Sequence, residues 1–236
     1  MASDRAAGGE KAVRSIHAVF ARAGTYTKPI ELDVDGMHAG RTWASDTVTA
    51  TQDGRLLCRA IVLLNTHDPD LMRHDPSMPL GFPTPDQVAA APGQVFPGAE
   101  LRPIPDERTI DGVPGELAWH RFPDKLASEA ANQAVVVWAT CGTIIGLAMR
   151  PHRDTVNIGE AHRTLSTGVI AHTVHFTDRI DASQWLLIAT QADKAADGRV
   201  YGHGSVFTED GSLVAAFHQD SMAKAAEAPL DFHRSM

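Results

Sequence analysis

The stretch from Ala134 to Met149 sets the terms for everything else in this chain. Val135, Val136, Val137, Trp138, Ile144, Ile145, Leu147 and Met149 put apolar side chains nearly all round a helix, so the helix has no polar face to lay against water and must be enclosed. Pro123-Asp124 opens it and Pro151 stops it, which predicts one helix from Asp124 to about Arg150. The apolar core of that run is too short to cross a bilayer and is interrupted by Thr140, Gly142, Thr143 and Gly146. A sheet has to wrap it.

The chain supplies the strands. Val13 to Phe20 and Ile30 to Val34 alternate loosely between apolar and polar residues. Arg41 to Thr51 and Leu56 to Leu64 flank Asp53-Gly54, the strongest short hairpin signal. Glu116 to Phe122 precedes the helix. After a polar connector over 152–167 come Val169 to Thr177, Trp185 to Thr190 and Arg199 to Thr208, and Asp210-Gly211 turns the chain into Leu213 to Gln219. Ten of the fourteen prolines fall between residues 66 and 115, which disfavours regular structure there.

A duplication is visible. Thr51-Gln52-Asp53-Gly54-Arg55-Leu56-Leu57 matches Thr208-Glu209-Asp210-Gly211-Ser212-Leu213-Val214, and Gly40-Arg41 and Gly198-Arg199 precede the two copies at similar distances. This divides the chain into an amino-terminal unit at 1–65, a proline-rich crossing segment at 66–115, a carboxy-terminal unit at 116–222 and a polar tail at 223–236. Only the second unit has its strand and helix ahead of the later strands. The first therefore reads as truncated, with its true start upstream and Met1 to Gly8 as the end of a missing helix, because a sheet without its helix would expose its inner apolar face.

Bulk properties exclude several functions. A net charge of -8, with 21 scattered Lys and Arg, leaves no basic patch for nucleic acid. Cys58 and Cys141 sit in apolar runs as small hydrophobes, and with no apolar leader the chain reads as cytoplasmic, with no membrane attachment. Twelve histidines form no metal-ligand spacing, so no metal or other cofactor is called for. Cys141, inside the apolar helix with no charged neighbour, is a poor nucleophile, and no Gly-x-Ser-x-Gly elbow occurs.

An apolar helix wrapped by an antiparallel sheet, present twice, is an α+β double hot-dog. In its motifs the chain resembles the acyl-CoA thioesterase II family: Ile16 to Phe20 followed by Gly24 and Lys28-Pro29-Ile30, Gly40-Arg41 through Asp53-Gly54, Trp185-Leu186-Leu187, and Thr208 to Ala215 leading to Gln219-Asp220. The resemblance implies hydrolysis of acyl-CoA to free acid and CoA by water that an Asp, a Ser or Thr and a Gln position. Carried onto this sequence, the Gln is Gln219, the Asp position holds Ala171, and the hydroxyl position holds Asp193. Gln219 and Asp193 are thus the expected catalytic pair. His172, Thr190 and Asn132 are the expected substrate-binding groups, His172 also standing where an imidazole could act as a base. The alternative is a repurposed member that binds an acyl thioester or hydrophobic metabolite without hydrolysing it. A hydratase would need an Asp/His pair at the helix start, and Asp124 with His120 is a loose match. Self-association through the sheets is expected.

Overall fold

The computed structural model describes residues 2–3, 11–79, 81–91, 98–105, 108–110 and 113–226. The expected helix remnant at 1–8 falls outside these residues except for Ala2 and Ser3, which are helical, and 227–236 of the expected tail also fall outside.

The strands are β1 (Ala12–Phe20), β2 (Glu31–Ala39), β3 (Trp43–Gln52), β4 (Arg55–Asn65), β5 (Glu100–Pro103), β6 (Arg108–Ile110), β7 (Val113–Arg121), β8 (Leu165–Phe176), β9 (Leu186–Ala196), β10 (Arg199–Thr208) and β11 (Leu213–Ala225). They form one antiparallel sheet in the order β2-β3-β4-β1-β8-β11-β10-β9-β7-β5, with β6 beside β7. The order carries the duplication: β1 to β4 run 2-3-4-1 on one side of the centre, and β8 to β11 run 9-10-11-8 on the other. The halves join where β1 pairs with β8, Ser15 to Val19 against Ala171 to His175.

The two Thr-x-Asp-Gly copies occupy equivalent hairpins, β3–β4 and β10–β11, but turn differently. Asp53 and Gly54 both take positive φ, 51° and 71°, as a two-residue type I′ turn requires. At the second copy only Gly211 is positive, and Thr208 accepts and donates across a longer loop closed by Ser212. Asp197-Gly198, with φ of 53° and 69°, makes the β9–β10 hairpin, a turn of the first kind that the sequence reading passed over.

The apolar helix departs from expectation. It starts at Glu129, capped by the Ser128 side chain rather than opened by Asp124. It then breaks: α1 (Glu129–Thr140) ends at Cys141, Gly142 takes a φ of 89°, and α2 (Thr143–Met149) continues. Gly and the polar Thr pair interrupting the run are the physical reason. Nor is it fully enclosed, since Trp138 is 41% exposed. The helical stretch Glu129–His152 is long and apolar enough to cross a membrane by length and composition alone, but Val136, Ala139, Ile144 and Leu147 are buried against the sheet, as in a core helix.

Over β7, the first part of β9 and the Phe207 end of β10 both faces are apolar because both are covered, whereas Tyr201 and His203 on the outer face of β10 are exposed. Inward, Leu186, Ile188, Ala192 and Val206 meet the helices, with Val13, Ala44, Val62 and Leu64 joining from the first half. Outward, Leu117, Trp119, Leu187 and Phe207 pack with Trp185, Val88 and Ile104, and Met78 and Phe82 close over them. The proline-rich segment is therefore a packed cover as well as a connector. It also contains β5, β6 and the start of β7, where the sequence reading placed no regular structure. Trp119 Nε1 donates to Pro83 O at 3.1 Å, and Arg102 and Arg121 lie over the Trp185 ring. Three other elements outrun their expected ends: β2 continues past Val34 to Ala39, β9 continues to Ala196, and β11 continues to Ala225 into the expected tail. In the first half the inner face is covered at one end of the strands, where Val13, Leu64 and Ala44 stand side by side; toward the other end Phe20 and Leu32 on that same face are exposed.

Gly202 lets helix and sheet close together, and Gly204 makes room for the Phe217 ring of the neighbouring strand. A Cβ on Gly204 would run into the Ala189 carbonyl oxygen and the Phe217 ring. Gly204→Ala is expected to cost about 1–3 kcal/mol, read from the urea midpoint. His120 on β7 is buried, its Nδ1 has no partner, and burial lowers its pKa from 6.5 to about 4. The folded state thus resists a proton that the unfolded chain accepts. Stability from this group is complete above pH 6.5 and is lost as the pH falls toward 4, by about 3 kcal/mol at most. Urea titrations at pH 7 and 4.5 should show that loss, and His120→Leu should reduce it.

Candidate active site

Gln219 is the centre of the one buried polar group set against the helix break among the described residues. It lies on β11 with no exposed surface, in register with Gly202 of β10 on one side and His172 of β8 on the other. Gly202 has no side chain, and a Cβ there would meet Ile144 Cγ2 at 2.8 Å, so α2 lies directly on β10. That approach brings the break within reach: Gly142 N donates to Gln219 Oε1 at 2.8 Å. A helix start leaves backbone N–H groups without intrahelical partners, and the glutamine side chain satisfies one of them. Gln219 Nε2 donates to Ser221 Oγ at 2.8 Å, which fixes which end of the amide faces the helix.

Beside it, His172 is 3% exposed, and its Nε2 lies 3.1 Å from Thr140 Oγ1. Thr140, the last residue of α1, directs its hydroxyl to Val136 O at 2.9 Å and Val137 O at 3.1 Å. The Phe217 ring packs against the imidazole at 5.9 Å between centroids. Burial, with a smaller contribution from His218, lowers the His172 pKa to about 4 and keeps the ring neutral at physiological pH. Its Nδ1 is buried without a hydrogen-bond partner.

The five expected site residues do not converge. His172 and Gln219 are neighbours on the inner face. Thr190 is buried on that face too, but two strands away, in register with Gly204 and Glu116. Asn132 lies near the start of α1, about 15 Å from Gly142 along the helix, and is committed to Ser128 O and Ala182 N. Asp193 sits at a bulge in β9, and its carboxylate meets His203 Nδ1 at 2.7 Å. His203 neighbours Gly202 in β10 and pairs with the exposed His218, so Asp193 points to the face opposite Gln219. The pairing of Gln219 with Asp193 is corrected accordingly: side chains alternate across a sheet, and the sheet stands between them.

Thr140, Gly142 and Ser221 complete the set and were missed as site residues. The first two were visible as polar or glycine breaks in an otherwise apolar helix, and Ser221 follows Gln219 at a spacing of two in a strand. Cys141 at the break is half-buried and burial raises its thiol pKa, which disfavours the thiolate. Arg150, closing α2, pairs with Glu116 of β7. Among the described residues no three His, Cys, Asp or Glu side chains are grouped to hold a metal ion.

Residues 78–223 match the family model of the acyl-CoA thioesterase C-terminal domain, more than half of the chain and all of the buried polar set. The chain is 22% identical over 238 residues to acyl-CoA thioesterase 2 of Haemophilus influenzae, covering 92% of this chain and 82% of that one. Its fold matches acyl-CoA thioesterase II TesB2 from Mycobacterium marinum with a TM-score of 0.80 at 24% identity, over 92% of this chain and 82% of the other. A hot-dog protein of unknown function from Alicyclobacillus acidocaldarius matches at 0.71 and 20% identity, over 91% and 79%. The Asp-Gly hairpins, the wrapped helix and the strand bearing Gln219 are thus parts of a hot-dog thioesterase fold, and the chain belongs to the acyl-CoA thioesterase family.

Proposed function

We propose that the protein hydrolyses acyl-CoA thioesters to free acid and CoA at the helix break, with Gln219 as the positioning amide. The observation that carries this reading is that the stretch matching the thioesterase family contains Thr140, Gly142, His172, Gln219 and Ser221, the residues of the buried polar set. Thioester hydrolysis needs a donor for the oxygen that gains charge as water attacks the carbonyl. Gln219 Nε2 has two hydrogens and gives one to Ser221; the second is the donor offered to the thioester oxygen or to the water. The backbone at Gly142 holds that amide from its other end, so the donor is oriented before substrate arrives. The apolar residues around the break, Val137, Ile144 and Ile145, suit an acyl chain rather than a polar acid.

Ala171 stands at the position where the family resemblance expects the acid, which leaves the water without a carboxylate from that strand. In this fold Ala171, next to His172 and in register with Asp220, faces away from Gln219, as Asp193 does. Free-thiol release from straight-chain acyl-CoAs of graded length tests the reading. Gln219→Ala is expected to lower kcat about 100-fold, while Asp193→Ala leaves it close to wild type. Absence of thiol release from every chain length by the wild-type protein would overturn the hydrolase reading, and an unaltered Gln219→Ala rate would overturn the site.

A further inference from the structure

His172 is a buried titratable group with one ring nitrogen spent and the other idle. Thr140 gives its hydroxyl hydrogen to the Val136 carbonyl, so toward His172 its oxygen can only accept. The hydrogen is therefore on Nε2, and Nδ1 presents its lone pair. That lone pair has no partner in the protein although the residue is 97% buried, as its 3% exposure states. Ala18 on β1, Val137 and Thr140 on α1, and Phe217 and Gln219 on β11 surround it, and none is ionisable. The titratable group that acts on it is His218, which like burial favours the neutral ring. An imidazole held in one tautomer by its far nitrogen, beside a positioning amide, has the arrangement of a general base.

Resting on the hydrolase reading above, we propose that His172 is the general base of this thioesterase, its Nδ1 taking the proton from the attacking water, the task the family resemblance gives to a carboxylate. The water's oxygen forms the new bond to the thioester carbon as its proton passes to Nδ1, and the carbonyl π electrons move to oxygen. Collapse restores the carbonyl, breaks the C–S bond and sends that electron pair to sulfur. The imidazolium returns its proton to the thiolate, giving acid and free CoA with the ring neutral again. A pKa of about 4 places the ring in the range of the carboxylate it replaces and leaves it unprotonated at neutral pH.

The test is the pH dependence of kcat and kcat/KM for wild type and His172→Gln, with folding followed by circular dichroism. His172→Gln should lower kcat roughly 100-fold or more with little change in KM, and abolish the acid limb of the profile. A His172→Gln enzyme at wild-type rate, or a slower one that keeps the wild-type acid limb, would overturn the proposal while leaving the hydrolase intact. A wild-type protein that releases no thiol removes the hydrolase reading and this inference together. Should His172→Gln not fold, imidazole nitrogen NMR of the wild type decides: hydrogen on Nε2 is expected, and hydrogen on Nδ1 overturns the assignment.

Discussion

The hydrogen bond from the Gly142 backbone to Gln219 is the interaction on which the rest of the site depends. It joins the only interrupted point of the apolar helix to a strand in the middle of the second half-sheet. A glutamine amide in a dry interior is costly unless each end finds a partner. The helix break supplies one and Ser221 the other, so the interruption and the buried amide stabilise each other. The glycine at 202 is the precondition, because a side chain there would press on Ile144, hold the helix off the sheet and pull the bond apart.

Much of this was legible in the sequence, for a definite reason. Hairpins announce themselves locally: Asp53-Gly54 needs positive φ at both residues and has the two residue types that accept it. The enclosed helix was legible from its own apolarity, and Gln219 from the motif leading to it. What failed were judgements about which face a residue occupies. Asp193 was placed by alignment alone, and a bulge beside it sends its carboxylate to His203 on the other side. Thr140 looked like a mere interruption because nothing local says that a histidine from β8, thirty-two residues on, comes to rest against it.

The two halves share a strand order but not a burden. The second half carries the helix, the polar set and the outer cover, whereas the first contributes Val13, Val62 and Leu64 to the common core and leaves its farther inner face open at Phe20 and Leu32. Duplication therefore accounts for the sheet, and the site is a property of one half.

The proline-rich segment has a consequence for how this molecule can meet another. By lying over Leu117, Trp119, Leu187 and Phe207 it occupies the outer face of β7, β9 and the adjoining end of β10. What stays bare on that side is the middle of the sheet, where His17 and His175 stand edge to face across the β1–β8 seam and His218 follows on β11. A second sheet stacking there would have to settle on a strip of imidazoles centred on the line where the two halves meet.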